Sequence, residues 1–122
     1  MSNACKWQAG IYAFRQQSLI FELSKSFPRE ETFSLTSQIR RSSRSVYGNL
    51  VEAYRKKLYP LHLVSKLSDA DAENSETLGW LEIAMDCRYL SEFDVREVMD
   101  LNSQIGRLLY FMIHNPEKFS HK

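Results

Sequence analysis

The segment FSLTSQIRRSSRSVYGNLVEAYRKK, residues 33–57, decides the fold of this chain. At 100° per residue, small and apolar side chains of this segment share one face of a helix: Leu35, Ile39, Ser42, Val46, Leu50 and Ala53. Basic side chains fall within an arc of about 100° on the opposite side: Arg40, Arg41, Arg44 and Arg55. Gly48 lies inside that arc. The segment is therefore predicted to be an amphipathic helix with one basic outward face.

The remainder of the chain carries three further helical patterns. Only four glycines and three prolines interrupt the 122 residues, and long stretches without these residues favour helices. Pro60 suits the first turn of a helix, and Ser91 with Asp94 resembles a capping box. We predict four helices, at about residues 6–26, 31–57, 60–88 and 91–114.

Each of these helices has a stripe that we expect to face inward. In the first helix the stripe is Trp7, Ile11, Phe14, Ser18 and Phe21. In the third it is Leu63, Leu67, Ala70, Asn74, Thr77, Leu81 and Ala84. In the fourth it is Val98, Leu101, Ile105, Leu108 and Met112. Four such helices with short connections predict one all-α domain over residues 1–122, an antiparallel up-down four-helix bundle.

Composition and termini favour a cytoplasmic protein without a membrane segment. The longest apolar run, residues 108–113, is too short to span a bilayer, and the first ten residues lack the layout of a secretion signal. Two cysteines, Cys5 and Cys87, do not make a disulfide framework, so a reducing compartment is expected.

Charge is distributed unevenly along a chain whose net charge is only +1. Residues 34–57 carry +5, whereas residues 58–100 carry −7. In the third helix, Asp69, Glu73 and Glu76 line up at helical spacing, so an acidic stripe follows the basic one.

The basic face admits three interpretations. It is an ordinary solvated face, or it pairs with carboxylates of this chain or of another copy, or it binds a phosphate backbone. The candidates for nucleic-acid or partner binding are Arg40, Arg41, Arg44, Arg55, Lys56 and Lys57. The candidates for subunit contact are Gly48, Asp69, Glu73 and Glu76. Glycine in a helix interior costs about 1 kcal/mol relative to alanine, so Gly48 favours close approach by another chain and hence self-association.

No arrangement of residues predicts catalysis, a cofactor or a metal. The histidines His62, His114 and His121 have none of the spacings that bind metal on a helix. Cys87 has no histidine near it in the sequence and is expected to be a packed thiol. We therefore expect a protein that is not an enzyme.

Residues 27–57 carry a further pattern: Phe-Pro before an acidic turn, then aromatic-x-Leu-Thr-x-Gln-Ile-Arg-Arg, then Ser-Val-x-x-Asn-Leu-x-Glu. This pattern resembles the signature of the 23S rRNA intervening-sequence proteins, and the resemblance extends over about residues 14–119. The matching residues are Phe27, Pro28, Phe33, Leu35, Thr36, Gln38, Ile39, Arg40, Arg41, Ser45, Val46, Asn49, Leu50 and Glu52. Tyr47 and Gly48 replace the family's proline and small residue, and Ala53 replaces a glycine, so a straighter second helix is expected.

The resemblance implies a four-helix bundle that assembles as a ring-shaped pentamer. It also implies kinship with the accessory variability determinant of diversity-generating retroelements, which binds nucleic acid and associates with a reverse transcriptase. For this chain it therefore implies a homo-oligomeric adaptor or accessory in a process involving RNA or DNA, with a reverse transcriptase as one kind of protein partner. The alternative is an interaction module that binds only proteins.

Overall fold

In the computed structural model, which describes residues 1–120, the prediction of four helices is confirmed. The helices are α1 (Gln8–Ser24), α2 (Leu35–Arg55), α3 (Pro60–Asp86) and α4 (Glu92–His114). Three short 3-10 helices accompany them, at Asn3–Lys6, Arg29–Glu31 and Pro116–Lys118. No strand occurs within residues 1–120, so the all-α class is confirmed for the part of the chain that the structure describes.

Local chemistry sets the helix ends. Pro60 is the first residue of α3, as predicted. The predicted capping box of α4 is present: Ser91 Oγ accepts a hydrogen bond from the Asp94 N–H, and Asp94 Oδ2 accepts one from the Ser91 N–H. At the end of α3, Arg88 adopts a left-handed φ of 64°, and the Tyr89 N–H donates to the Ala84 carbonyl. This Schellman arrangement ends α3 two residues earlier than predicted.

The predicted inward faces of α2 and α3 are confirmed. All six small or apolar residues of the α2 face are buried, and so are all seven of the α3 stripe. In α4 the stripe is buried except that Leu109, rather than Leu108, completes it. Helix α2 packs against α1 and α3, and α4 packs against the same two helices, so the core is enclosed by all four.

The predicted inward stripe of α1 is wrong. The buried residues of this helix are Ala9, Gly10, Ala13, Gln16, Ile20 and Ser24. Ile11 is 46% exposed, and the aromatic rings of the predicted stripe lie at the edge of the core, where Phe14 contacts Tyr47 of α2 at a centroid distance of 5.2 Å. The small residues bring the α1 backbone close to its neighbours, which leaves no room for large rings beneath it.

A polar layer divides the core into two apolar clusters. Asn102 Nδ2 donates to Gln16 Oε1 at 3.0 Å, and Asn74 Nδ2 donates to the Asn102 carbonyl at 3.0 Å. Thr77 Oγ1 donates to Ser42 Oγ at 2.9 Å, so all four helices contribute. Within the described residues, no buried side-chain nitrogen or oxygen lacks a hydrogen-bond partner. The layer is therefore fully satisfied, which makes it tolerable in a bundle core.

None of the helices in residues 1–120 combines the length and the apolar character that crossing a membrane would require.

Candidate interaction surfaces

The arginines of the basic α2 face point in three directions. Arg40 is half-buried, whereas Arg41, Arg44 and Arg55 are exposed. Arg40 contacts α1, Arg41 contacts α3, and Arg44 with Arg55 lies on the outward side between them. The arc predicted from the sequence is therefore divided between its neighbours, and within residues 1–120 the exposed Arg44 and Arg55 form no ion pair.

Arg40 is held against the end of α1. Its Nε donates to the buried Ser24 Oγ at 2.8 Å, and its guanidinium lies 4.7 Å from the centroid of the Phe21 ring. The guanidinium of Arg44 lies 5.6 Å from the same ring. Lys25 Nζ lies 4.8 Å from it as well, so three cations surround one ring at the α1–α2 boundary.

Arg41 is held by the acidic stripe of α3. Its Nη1 donates to both carboxylate oxygens of Glu73 at 3.2 Å, and its Nη2 is paired with Glu76. Partial burial lowers the pKa of Arg41, but the hydrogen bonds and charges of Glu76 and Glu73 outweigh it, so the pKa is raised. Both carboxylates are thereby committed within one chain.

Glu76 receives a second hydrogen bond on the same carboxylate, because Trp80 Nε1 donates to Glu76 Oε2 at 2.9 Å. This hydrogen bond is the largest cause that lowers the pKa of Glu76, and the hydrogen bond and charge of Arg41 add to it.

The third acidic residue of the stripe has a weaker partner. Asp69 lies 4.0 Å from the Lys66 ammonium, which also contacts Glu52 of α2 at 3.3 Å. An open cavity of about 360 Å³ lies beside these groups, between α2 and α3. Its lining is Asn49, Asp69, Ala72, Glu73 and Glu76. The acidic stripe therefore forms one wall of a groove that remains open to solvent.

Gly48 lies on the outward face of α2 with open space above it. A Cβ added there would meet no atom of the described chain within 4 Å, and the residue is exposed. On α3 the side opposite the core also carries small residues, at Ser65, Ser68, Ala72, Ser75 and Gly79. Nothing within 4 Å requires glycine at Gly79 either. The outward surfaces of both helices would therefore admit the close approach of another backbone.

A row of four aromatic rings lies at the end of the bundle where α2 and α4 finish. Successive centroids are 5.0 Å apart from Tyr54 to Trp7, then 6.1 Å to Phe119, and 6.1 Å again to Phe111. A lysine covers each end of this aromatic row: Lys57 Nζ lies 3.8 Å from the Tyr54 centroid, and Lys118 Nζ lies 5.0 Å from that of Phe111. The row joins the amino-terminal segment, α2 and the segment after α4.

The aromatic row is surrounded by positively charged side chains. A hydrogen bond from Lys57 lowers the pKa of Tyr54, and the charges of Lys57 and Lys6 lower it further, although desolvation opposes them. Lys6, Arg55 and Lys56 are exposed beside the row. Five cations therefore surround this end, which we call the basic end: Lys6, Arg55, Lys56, Lys57 and Lys118.

Within residues 1–120, the thiols and imidazoles do not form a reactive cluster. Cys87 is exposed at the end of α3, so the prediction of a packed thiol is wrong; the early end of the helix at Asp86 leaves it in the turn. Cys5 Sγ lies 3.6 Å from the Tyr47 hydroxyl. His62 is exposed with its ring against Tyr59, and His121 lies outside the described residues. Across residues 1–120, no three histidine, cysteine or acidic side chains are grouped closely enough to hold a metal ion.

Comparison of the sequence with protein families identifies a match. The sequence model described as 23S rRNA-intervening sequence protein matches residues 7–111. The chain belongs to that family. The resemblance seen in residues 27–57 is therefore confirmed.

A solved structure of the same kind supports this assignment. The chain is similar to the crystal structure of a protein of unknown function from the S23 ribosomal protein family of Bacteroides thetaiotaomicron VPI-5482. The two share 25% sequence identity with a TM-score of 0.78, over 87% of this chain and 95% of the other. A search of the curated proteins found no match to this sequence.

Part of the basic end was missed at the level of sequence. Lys56 and Lys57 were predicted as binding candidates, but Lys6, Trp7 and Lys118 were not. The available signal was a basic residue directly before an aromatic one near each terminus, in Lys6-Trp7 and Lys118-Phe119. These pairs lie more than a hundred residues apart, and only the packing of Trp7 on Phe119 brings them together.

Proposed function

We propose that this family member is a non-enzymatic, self-assembling helical bundle that acts as an oligomeric adaptor in an RNA- or DNA-related process. The proposal has two parts, assembly and nucleic-acid binding, and each is argued from its own surface. A cytoplasmic location suits the two cysteines, neither of which forms a disulfide within the described residues.

Exposed Gly48 carries the assembly proposal. Glycine in the middle of a helix costs about 1 kcal/mol relative to alanine, and no atom of the described chain within 4 Å of the added Cβ position requires it. We infer that the small residue accommodates a second copy packed on this face. The cavity beside Asn49 and the small outward residues of α3 extend the surface that such a copy would cover.

Family membership supports the form of the assembly. The resemblance implies a ring of five subunits, and we infer that each subunit has helices alternating in direction. Two ion pairs support this alternation: Arg41 contacts Glu73, whereas Glu52, later in α2, contacts Lys66, earlier in α3. Neighbouring bundles would then meet side by side along α2 and α3.

The assembly proposal is tested by Gly48→Leu, which places a large side chain in the centre of the proposed contact. We expect light scattering to report an oligomer for the unmodified chain and a smaller species for the variant. Ser103→Leu adds a leucine to the outward face of α4, where the residue is exposed, and should leave the oligomer intact. A clean monomer of the unmodified chain at micromolar concentration would reject the proposal.

The proposal of nucleic-acid binding is supported by the outward arginines. It is also supported by the descriptions of the family as 23S rRNA-intervening sequence proteins and of the similar structure as a member of the S23 ribosomal protein family. Arg44 and Arg55 face solvent without a carboxylate partner in the described chain, so they are available for phosphates. A protein partner such as a reverse transcriptase is part of the same proposal.

Electrophoretic mobility shifts with structured RNA, single strands and duplex at ~50 mM salt test the nucleic-acid binding, because phosphate contacts are strongest at low salt.

An interaction module without nucleic-acid binding is the second candidate, and the ion pairs of Arg41 favour it. Arg41 is paired with Glu73 and Glu76, and Arg40 is held against α1 by one hydrogen bond to Ser24 and by the Phe21 ring. The double variant Arg40→Ala with Arg44→Ala separates the two candidates. Loss of the oligomer favours the module, whereas loss of nucleic-acid binding by an intact oligomer favours the adaptor.

A further inference from the structure

We propose that this chain binds a single-stranded nucleic acid chiefly at the basic end, which Arg55 joins to the arginine face of α2. The inference rests on the proposed role in nucleic-acid binding and assigns it to a surface formed by Lys57, Lys118 and the aromatic row between them. Such strands are held by cations that contact the phosphates and by aromatic rings on which bases stack.

Cations at this end are not committed to carboxylates of the chain. Lys57 and Lys118 each lie over an aromatic ring, and within residues 1–120 none of the five cations forms an ion pair. Of the nearby carboxylates, Glu52 is already paired with Lys66, and Glu117 is next to Lys118 in the chain. The positive potential of this end is therefore directed to solvent, unlike that of Arg41.

The aromatic row supplies the second element. Phe111 is 44% exposed, and Trp7, Tyr54 and Phe119 are partly exposed. Tyr59, two residues after Lys57, is 56% exposed at the same end. Rings held at centroid spacings of 5–6 Å and reachable from solvent provide a sequence-tolerant surface for bases.

Contrast with the opposite end strengthens the assignment. The turns around Phe27 and Tyr89 are joined there by ring contact, and the Tyr89 hydroxyl donates to Glu31. Exposed acidic residues surround this contact: Glu30, Glu82, Asp86, Glu92 and Asp94. That end also carries exposed cations, at Lys25, Arg29, Arg88 and Arg96, but the basic end has five cations and fewer carboxylates, so a polyanion would bind preferentially to the basic end.

Fluorescence anisotropy with a labelled uridine 20-mer at ~50 mM salt tests the proposal. Lys56→Glu with Lys57→Glu should weaken binding by about tenfold or more and reduce the slope of log affinity against log salt by about 1.4, for two lost phosphate contacts. The matched control, Lys25→Glu with Arg29→Glu, makes the same charge change at the opposite end and should weaken binding less than about threefold.

A separate variant addresses the rings. Phe111→Ala leaves every charge in place and should weaken binding by about fivefold or more, with little change in the salt slope. Circular dichroism confirms that the variant remains helical; if it unfolds, Tyr59→Ala at the exposed tip replaces it.

Several outcomes overturn the proposal. The first is an equal loss of oligonucleotide binding in the two charge-reversal variants. The second is a loss of binding in Arg40→Ala with Arg44→Ala that does not occur in Lys56→Glu with Lys57→Glu. The third is the absence of oligonucleotide binding by the unmodified chain. Binding to vesicles containing anionic lipid without binding to the oligonucleotide would assign the basic end to a membrane surface instead. Light scattering on the same samples distinguishes the binding proposal from the assembly proposal. A monomer that binds the oligonucleotide through Lys57 would support the site at the basic end and reject self-assembly.

Discussion

Arg41 of α2 and Glu73 of α3 are joined by two hydrogen bonds of 3.2 Å, and Glu76 completes the site on the same guanidinium. The basic helix of this chain thus satisfies part of its charge on the acidic helix that follows it. Arg44 and Arg55 remain outward, and the lysines gather at one end of the bundle. Assembly and polyanion binding are therefore proposed for different surfaces of one small protein.

Glu76→Gln should destabilise the protein more near pH 7 than near pH 3. The pKa of Glu76 is lowered, chiefly by the hydrogen bond from Trp80 and then by Arg41. A carboxyl with a lowered folded-state pKa contributes stability above its unfolded pKa, and this contribution is lost as the pH falls through the folded pKa. Urea unfolding at both pH values measures the difference.

The control for this prediction is Glu82→Gln, which removes an exposed carboxylate of the same helix that forms no ion pair within the described residues. It should change the free energy of unfolding little at either pH. An equal effect of Glu76→Gln at both pH values would contradict the assigned role of Trp80 and Arg41.

Asn102→Ala should lower the free energy of unfolding by about 2–4 kcal/mol, because the buried Gln16 Oε1 and Asn74 Oδ1 would each lose the hydrogen bond that Asn102 Nδ2 donates. Denaturant unfolding measures the loss. Asn115→Ala removes an amide whose Nδ2 donates only to the Phe111 carbonyl near the surface, and it should cost less than about 1 kcal/mol. Similar losses of unfolding free energy in both variants would show that the buried polar layer contributes no more to stability than a surface hydrogen bond does.

Two glycine substitutions should have opposite effects on stability. A Cβ at Gly10 would overlap the backbone carbonyl of Ala4, so Gly10→Ala should displace the segment Asn3–Lys6 and cost about 1–3 kcal/mol. Gly48→Ala meets nothing within 4 Å and should raise the stability of the subunit by up to about 1 kcal/mol through helix propensity. Thermal unfolding at low protein concentration compares them, and a destabilised Gly48→Ala subunit would be inconsistent with this geometry.

Tyr89 should be among the last tyrosines to ionise. The hydrogen bond to Glu31 raises its pKa to about 12, with desolvation and the charge of Glu31 as further causes. A raised folded-state pKa contributes stability that is complete below the ordinary value of 10 and is lost as the pH rises toward 12. Ultraviolet titration of the unmodified chain and of Tyr89→Phe should differ in the final step.

The same titration has an internal comparison. The pKa of Tyr54 is lowered by Lys57, so Tyr54→Phe should remove an early step instead. If both variants remove the same portion of the curve, the two tyrosines do not have the opposite surroundings described for them.

Most of the helical framework was predictable from the sequence because the buried faces of α2 and α3 repeat with the period of a helix. For α1 the prediction was wrong, since Ala9, Ala13 and Gln16 are buried while larger residues such as Ile11 are exposed. Periodicity favours the largest side chains, whereas close packing of two helices selects the smallest ones. The exposure of Cys87 likewise depends on where α3 ends, because the helix stops at Asp86 and leaves Cys87 in the turn.

The sequence by itself determined four helices, the outward position of Gly48 and the alternation of a basic with an acidic segment, because helix period and charge order are local properties of the chain. The tertiary structure alone decided that Arg41 is satisfied by Glu73, that Gln16 meets Asn74 and Asn102, and that Trp7 joins Tyr54 to Phe119. These contacts join residues distant in sequence, and their geometry is fixed only when the buried faces of all four helices pack together.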